Sequence, residues 1–291
     1  MTVICFLAAF QASGQRVTLV MSGGGAKGLA HVGVVKALEE EGIPIDFVAG
    51  TSMGGVIAGC YAAGYSADEI EGIMTSEDFL RWVNGEPEPG YNYFYLLDEQ
   101  YPSVLDVDFS LDSTFHASLR TSLASDLSLN FALAEKFAQP AMIAHYDFDS
   151  LFVPVRIVAS EVFTQNEVIL EDGSLASAIR TSLSVPFFYK PIRIDRRYLF
   201  DGGIYNNFPV DVAQQEFDSD VIIGVNVSSK VFAEYPYEED DELINNSLLF
   251  MLLDKSDPGV VPENGIYIEP DLTGYTALDF RKVRSLSIAD M

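Results

Sequence analysis

The sequence predicts one α/β domain built on a mostly parallel central sheet covered by helices on both faces. Short apolar runs read as strands at 17–21, 47–49, 155–160, 167–170 and 220–227, and helical stretches separate them. Two of these runs lead directly into glycine-rich turns that open helices. With 291 residues and 48% hydrophobic content the chain can bury one large core, although its length would also accommodate two domains.

The first strand, Val17-Thr18-Leu19-Val20-Met21, runs into Gly23-Gly24-Gly25-Ala26-Lys27-Gly28. The helix that follows, about Leu29 to Glu41, carries Leu29, Val32, Val35, Ala37 and Leu38 on one side and stops at Gly42 with Pro44 beyond. Its first turn has free N–H groups and the positive end of a helix dipole, and glycines let an anion approach them closely. The spacing Gly23-x-Gly25-x-x-Gly28 also satisfies a dinucleotide fingerprint. That reading wants an acid at the end of the next strand, where this chain has glycines, and Asp46 precedes the strand. A phosphate P-loop fails because Gly28, not Ser or Thr, follows Lys27. An oxyanion hole for acyl transfer fits better.

The second strand, Phe47-Val48-Ala49, leads into Gly50-Thr51-Ser52-Met53-Gly54 and then a small-residue helix, Val56 to Ala63. Strand, sharp turn and helix form the setting in which Gly-x-Ser-x-Gly raises a serine hydroxyl as a nucleophile. Ser52 is the candidate. The plainer alternative is a serine that caps the next helix.

A serine nucleophile needs a base. The chain has three histidines. His31 lies in the helix behind the glycine loop and reads as a packed structural residue, while His116 and His145 fall in an expected helical insert with no attached motif. The better candidate is Asp201, which ends the apolar run Tyr198-Leu199-Phe200 and is followed by Gly202 and Gly203. The alternative there is an ordinary Asp-Gly hairpin turn.

These three motifs, in this order, resemble the patatin-like phospholipase family. The resemblance runs from about Val17 into the 220s and includes Ala178 to Pro186, similar to a segment lining that family's cleft. It implies a three-layer α/β/α fold and a Ser52–Asp201 dyad with Ser52 as nucleophile and Asp201 as base. It further implies an oxyanion hole at Gly23, Gly24, Gly25, Ala26, Lys27 and Gly28, an elbow of Gly50, Thr51, Met53 and Gly54, and an acid box completed by Gly202 and Gly203. The expected activity is hydrolysis of lipid acyl esters, of phospholipase A or lysophospholipase type, without cofactor. A soluble carboxylesterase of small esters, and a non-catalytic nucleotide- or anion-binding module, are the alternatives. No His-Glu-x-x-His, EF-hand loop or similar spacing points to a metal.

A net charge of −26 argues against nucleic acid and against wholesale adsorption to anionic membranes. Positive charge is nevertheless concentrated at Arg180, Lys190, Arg193, Arg196 and Arg197, which could meet a phospholipid head group, or could be ordinary surface charge. Peripheral membrane contact and a homodimer are the partner expectations beyond the lipid substrate. The stretch from Ser113 to His145 reads as one or two helices, either a lid over the cleft or a core pair, through Leu119, Leu123, Leu127, Phe131, Leu133 and Phe137.

Residues 1–15 contain an apolar segment like a signal-peptide remnant, though no Lys or Arg precedes it, so export is expected with a cytoplasmic protein as the alternative. The catalytic domain is expected over 16–230, and 231–291 as an extension packed on it. Within that extension, Leu243 to Leu253 reads as an amphipathic packing helix and Glu238 to Glu242 as a solvated linker.

Overall fold

The computed structural model describes residues 14–90, 125–186, 188–228, 258–272 and 274–284, with the backbone of two strands at 106–110 and 116–120. The expected signal remnant, acidic linker and amphipathic helix at 243–253 lie largely or wholly outside the described residues.

Strands β1 (Val17–Met21), β2 (Phe47–Thr51) and β5 (Val155–Glu161) lie side by side and parallel, and β9 (Val221–Val225) and β10 (Ile266–Ile268) extend the parallel part beyond β1. The order is β10-β9-β1-β2-β5-β8-β7, with β6 (Asn166–Leu170) also paired to β5. The hairpin of β7 (Ile192–Ile194) and β8 (Arg197–Asp201) runs antiparallel at one edge. Sequence reading missed β7 and β10, because three residues are too few for a two-residue periodicity to register.

Alternation along the central strands sorts the core into two faces. Leu19 and Met21 of β1 and Val48 of β2 pack in the larger cluster, with Val32 and Val35 of α1 (Ala30–Glu40), Ile57 of α2 (Met53–Ala62) and Ile179 of α6 (Leu175–Ser182). Val20 and Ala49 face the other way, onto Val210 and Ala213 of α7 (Val210–Glu216), and onto Phe208 and Phe217 beside it. Helices therefore cover both faces of the sheet. Helix α3 (Ala67–Met74) starts with a capping box in which Ser66 Oγ accepts from the Glu69 amide and the Glu69 carboxylate accepts from the Ser66 amide.

The expected all-helical insert is corrected. It contains a strand, β4 (His116–Arg120), paired antiparallel with β3 (Asp106–Ser110), and among its described residues only α5 (Leu127–Ile143) is helical. Leu119 lies on β4 and Leu127 starts α5, so the four-residue leucine spacing that reads as one helical period is shared between a strand and a helix. Helix α5 buries Leu129, Ala132, Leu133, Phe137 and Ala141 in the main core, as a core helix does, and turns Phe131 to solvent.

The segment beyond β10 returns to the glycine loop. Ala277 and Leu272 are buried, the Ala277 carbonyl accepts a hydrogen bond from the Ala26 amide at 2.7 Å, and Phe280 packs edge-on against Phe79 of α4 (Glu77–Asn84).

Candidate active site

The strand register brings Ser52 and Asp201 together. Thr51, the last residue of β2, pairs with Val158, and Asp201, the last residue of β8, pairs with Ala159. One strand, β5, thus sets both ends at adjacent positions, although β2 runs parallel to it and β8 antiparallel. The approach is tight: a Cβ on Gly202 would lie 2.5 Å from the Val158 carbonyl oxygen and 3.0 Å from Thr51 Cγ2.

Ser52 sits in a sharp elbow with φ 53 and ψ −124, a conformation an L-residue holds only under constraint. Two contacts supply that constraint. The Ser52 amide donates to Ser182 Oγ at 2.7 Å, and Ser182 Oγ donates to the Val158 carbonyl at 2.6 Å. On the other side, a Cβ on Gly54 would lie 2.3 Å from the Met21 carbonyl oxygen, so only glycine lets α2 start so close to β1. Ser52 precedes α2 but makes no side-chain capping bond, which removes the capping alternative. Its hydroxyl is left free of the helix, at the positive end of that helix dipole.

Asp201 is 1% exposed. Its Oδ1 accepts from the Gly203 amide at 2.8 Å, so the side chain caps its own turn. Oδ2 closes no hydrogen bond, and the Ser52 hydroxyl is the side-chain group that acts on the carboxylate beside the Gly203 amide. Burial pushes the Asp201 pKa up from 3.8 to about 7; the Gly203 amide, and then the Ser52 hydroxyl, pull it back down. A carboxylate ordinarily too weak to accept a proton from an alcohol is thereby made a stronger base.

The glycine loop borders the same point. A Cβ on Gly23 would lie 3.0 Å from Ser52 Cβ and 2.3 Å from Asn207 Oδ1. The loop itself winds into a short 3-10 turn, Gly25–Leu29, that runs directly into α1, so helical structure starts earlier than the sequence predicts. Not all six residues can offer an N–H outward. The Gly23 amide donates to the Asn207 carbonyl at 3.0 Å, the Ala26 amide to Ala277, and the Lys27 amide to the Gly24 carbonyl at 3.2 Å. Among the described residues, the amides of Gly24 and Gly25 have no such acceptor. The Lys27 side chain is buried.

Neither His31 nor His145 stands in the place of Asp201. His31 Nε2 donates to the Ser22 carbonyl at 2.8 Å, while Nδ1 has no partner. Burial lowers the His31 pKa to about 4, so the ring is neutral and props the base of the glycine loop. His145 lies past the end of α5 in a cavity lined by Tyr146, Asp147, Asp149 and Asp172. His116 is on β4, not in a helix, and its side chain lies outside the described residues.

Arg180 is corrected as a head-group candidate. It is buried, donates to Asp126 Oδ2 at 3.2 Å, Asn130 Oδ1 at 2.9 Å and Ser184 Oγ at 2.8 Å, and stacks on Tyr189. That arrangement ties α6 to the start of α5. The sequence reading placed Ser182 inside the Ala178–Pro186 block without giving it a role, and passed over Asn207, which follows the Asp201 turn; a lone serine or asparagine there carries no spacing signal. Among the described residues no group of three His, Cys, Asp or Glu side chains is placed to hold a metal ion.

The profile of the Patatin-like phospholipase family matches residues 19–213, which takes in the glycine loop, the Ser52 elbow and the Asp201 turn. The chain belongs to the patatin-like phospholipase family. Patatin-like phospholipase domain-containing protein 6 of Mus musculus is 29% identical over 220 residues, covering 75% of this chain and 14% of that protein. Lysophospholipase NTE1 of Kluyveromyces lactis is 27% identical over 303 residues, covering 94% of this chain and 18% of the yeast protein. An NTE family protein of Mycobacterium bovis is 28% identical over 217 residues, covering 74% of this chain and 51% of that one. This patatin-like chain thus corresponds to a small part of the first two relatives and about half of the third.

Proposed function

We propose that the chain is a lipid acyl hydrolase, of phospholipase A or lysophospholipase type, working through a Ser52–Asp201 dyad. The observation that carries the reading is the placement of Thr51 and Asp201 at adjacent β5 positions, with Gly23 against Ser52. In the proposed sequence Ser52 Oγ attacks the ester carbonyl carbon as its proton passes to Asp201 Oδ2. The carbonyl oxygen becomes an oxyanion, held by the Gly24 and Gly25 amides and favoured by the α2 dipole. Collapse of the tetrahedral species breaks the ester C–O bond, and the alcohol leaves with the proton from Asp201. Water then attacks the acyl-serine as Asp201 takes its proton, and the second tetrahedral species breaks the acyl C–Oγ bond, releasing the fatty acid while Asp201 returns the proton to Ser52 Oγ.

Family membership, and relatives named as phospholipase domain proteins and as a lysophospholipase, support lipid esters over small soluble esters as the substrate class. The test compares hydrolysis of lysophosphatidylcholine with that of a short-chain p-nitrophenyl ester, in the parent and in Ser52→Ala. Both activities should vanish in the folded variant, with lysophosphatidylcholine the better substrate of the parent. Substantial turnover by folded Ser52→Ala would refute the dyad, and preference for the short ester would refute the substrate class. Because the Asp201 pKa is raised to about 7, kcat/KM of the parent should climb as pH rises through neutrality and level off above it.

A further inference from the structure

Two turns project from the end of the sheet that carries Ser52. Strand β5 continues three residues past its pairing with Thr51, to Glu161, before the turn at 162–165 leads into β6. The two-residue turn Asp195-Arg196 that joins β7 to β8 stands at the same end, because Leu199 is already level with Glu161 and Arg197 lies beyond it. Arg197 is near enough to contribute to lowering the Glu161 pKa, after the hydrogen bonds that Glu161 accepts from Thr164 and Phe163. At ~3.4 Å per residue the Arg196 tip rises roughly 17 Å beyond Asp201, a wall at the rim of the site.

The chemistry of these tips differs from that of the rest of the surface. Phe163 is 79% exposed, and Tyr198, 46% exposed, has the Arg193 guanidinium over its ring at 5.7 Å. Lys190, Arg193, Arg196 and Arg197 fall within one eight-residue stretch of a chain that has 17 Lys and Arg against 43 Asp and Glu. The acids at and beside the same tips are Asp195, Glu161 and Glu167; Glu161 is occupied by the Phe163 and Thr164 amides and the Thr164 hydroxyl, and Glu167 accepts from Asn206 Nδ2. Exposed apolar side chains also occur toward the opposite end of β5, at Met142, Ile143 and Phe152, but the pocket at that end is lined by Asp147, Asp149, Glu171 and Asp172, with the buried Arg156 paired to Asp149. Aromatic groups with cations suit an anionic lipid surface, whereas aromatic groups with acids are repelled by it.

We infer that the rim formed by the β5–β6 turn and the β7–β8 hairpin, with Phe163, Arg193, Arg196, Arg197 and Tyr198, is where this domain docks on an anionic phospholipid bilayer. Phe163 and Tyr198 enter the interfacial layer, the arginines meet phosphate and carboxylate head groups, and the strongly acidic remainder is held away from the membrane. Docking on this end turns the mouth of the Ser52 site toward its substrate. The inference deepens the acyl-hydrolase reading and rests on it for its biological sense, but it can be tested without turnover.

The test is sedimentation of the whole chain carrying Ser52→Ala with vesicles of phosphatidylcholine, or of phosphatidylcholine mixed with phosphatidylserine. The protein should bind the mixed vesicles more tightly, and added salt should weaken that preference. Replacing Arg193→Gln together with Arg196→Asn should lower binding to the mixed vesicles roughly 25-fold, at about fivefold for each head-group-level cation. Phe163→Ser should lower binding to both vesicle types about tenfold, and Phe152→Ser, at the opposite end, should change neither. If the double variant folds poorly, Arg196→Asn alone serves, since asparagine readily adopts the left-handed backbone of that turn (φ 67). Equal binding by parent and rim variants, loss of binding in Phe152→Ser, or a rim-dependent dimer with no vesicle binding would overturn the inference. Vesicle binding that depends on the rim, in a protein whose hydrolysis survives Ser52→Ala, would instead overturn the dyad and leave the docking surface standing.

Discussion

Replacing Asp201 with asparagine should abolish hydrolysis and stabilise the protein, with a gain that depends on pH. Burial raises the Asp201 pKa from 3.8 to about 7, so the ionised carboxylate is held in a place that disfavours it. At ~1.36 kcal/mol per pH unit this costs the folded state up to about 4 kcal/mol above neutrality. The sign follows from proton counting. Between pH 3.8 and about 7 the folded protein holds a proton that the unfolded chain has released, so parent stability falls as pH rises through that window and stays low above it. Asparagine removes the charge but keeps an oxygen to accept from the Gly203 amide and offers an N–H toward Ser52. Thermal melts of parent and Asp201→Asn from pH 4 to pH 9 measure the effect. The variant should melt higher above pH 7, by up to ~8 °C at roughly 2 °C per kcal/mol, and the gap should close toward pH 4. A variant that melts at or below the parent at pH 8, or a gap that ignores pH, would refute a carboxylate strengthened by burial.

Two further substitutions probe how the site is held. Ser182→Ala leaves the buried Ser52 amide and Val158 carbonyl without their shared partner, so urea unfolding should show a loss of about 1–3 kcal/mol, and kcat should fall more than KM changes. Gly25→Ala places a Cβ at φ +56, 2.3 Å from the Ala277 carbonyl, and should shift the loop. Its kcat on a short ester should drop about 10²–10³-fold, the usual effect of losing one oxyanion donor, and a near-parental rate would show that the Gly25 amide takes no part.

Much of this architecture was legible because its signals are local. Apolar runs ending in glycine clusters marked β1, β2 and β8, and the close approaches that exclude a Cβ are why glycine stands at positions 23, 54 and 202. The serine, the acid and the glycine loop could each be named from the chain, because each sits at a strand end where one residue type suits the geometry. The relation between them came from the family resemblance alone and not from any local pattern. That Thr51 and Asp201 fall at consecutive β5 positions depends on a register between distant strands, and no local pattern encodes it. The division of the loop amides was hidden for the same reason, since Gly23 and Ala26 donate to Asn207 and Ala277 from far along the chain. Arg180 was misleading in composition alone: its neighbours in sequence are cations at an exposed hairpin, while its neighbours in space are Asp126 and Asn130.

The central claim is that Ser52 carries the acyl group. Brief reaction of the whole chain with a p-nitrophenyl ester, acid quenching and intact-mass analysis followed by peptide mapping would detect that species directly. The account predicts a single acyl addition, located on Ser52, present in the parent and absent from a folded Ser52→Ala protein. An acyl group on any other residue, or continued ester turnover by folded Ser52→Ala, would contradict it.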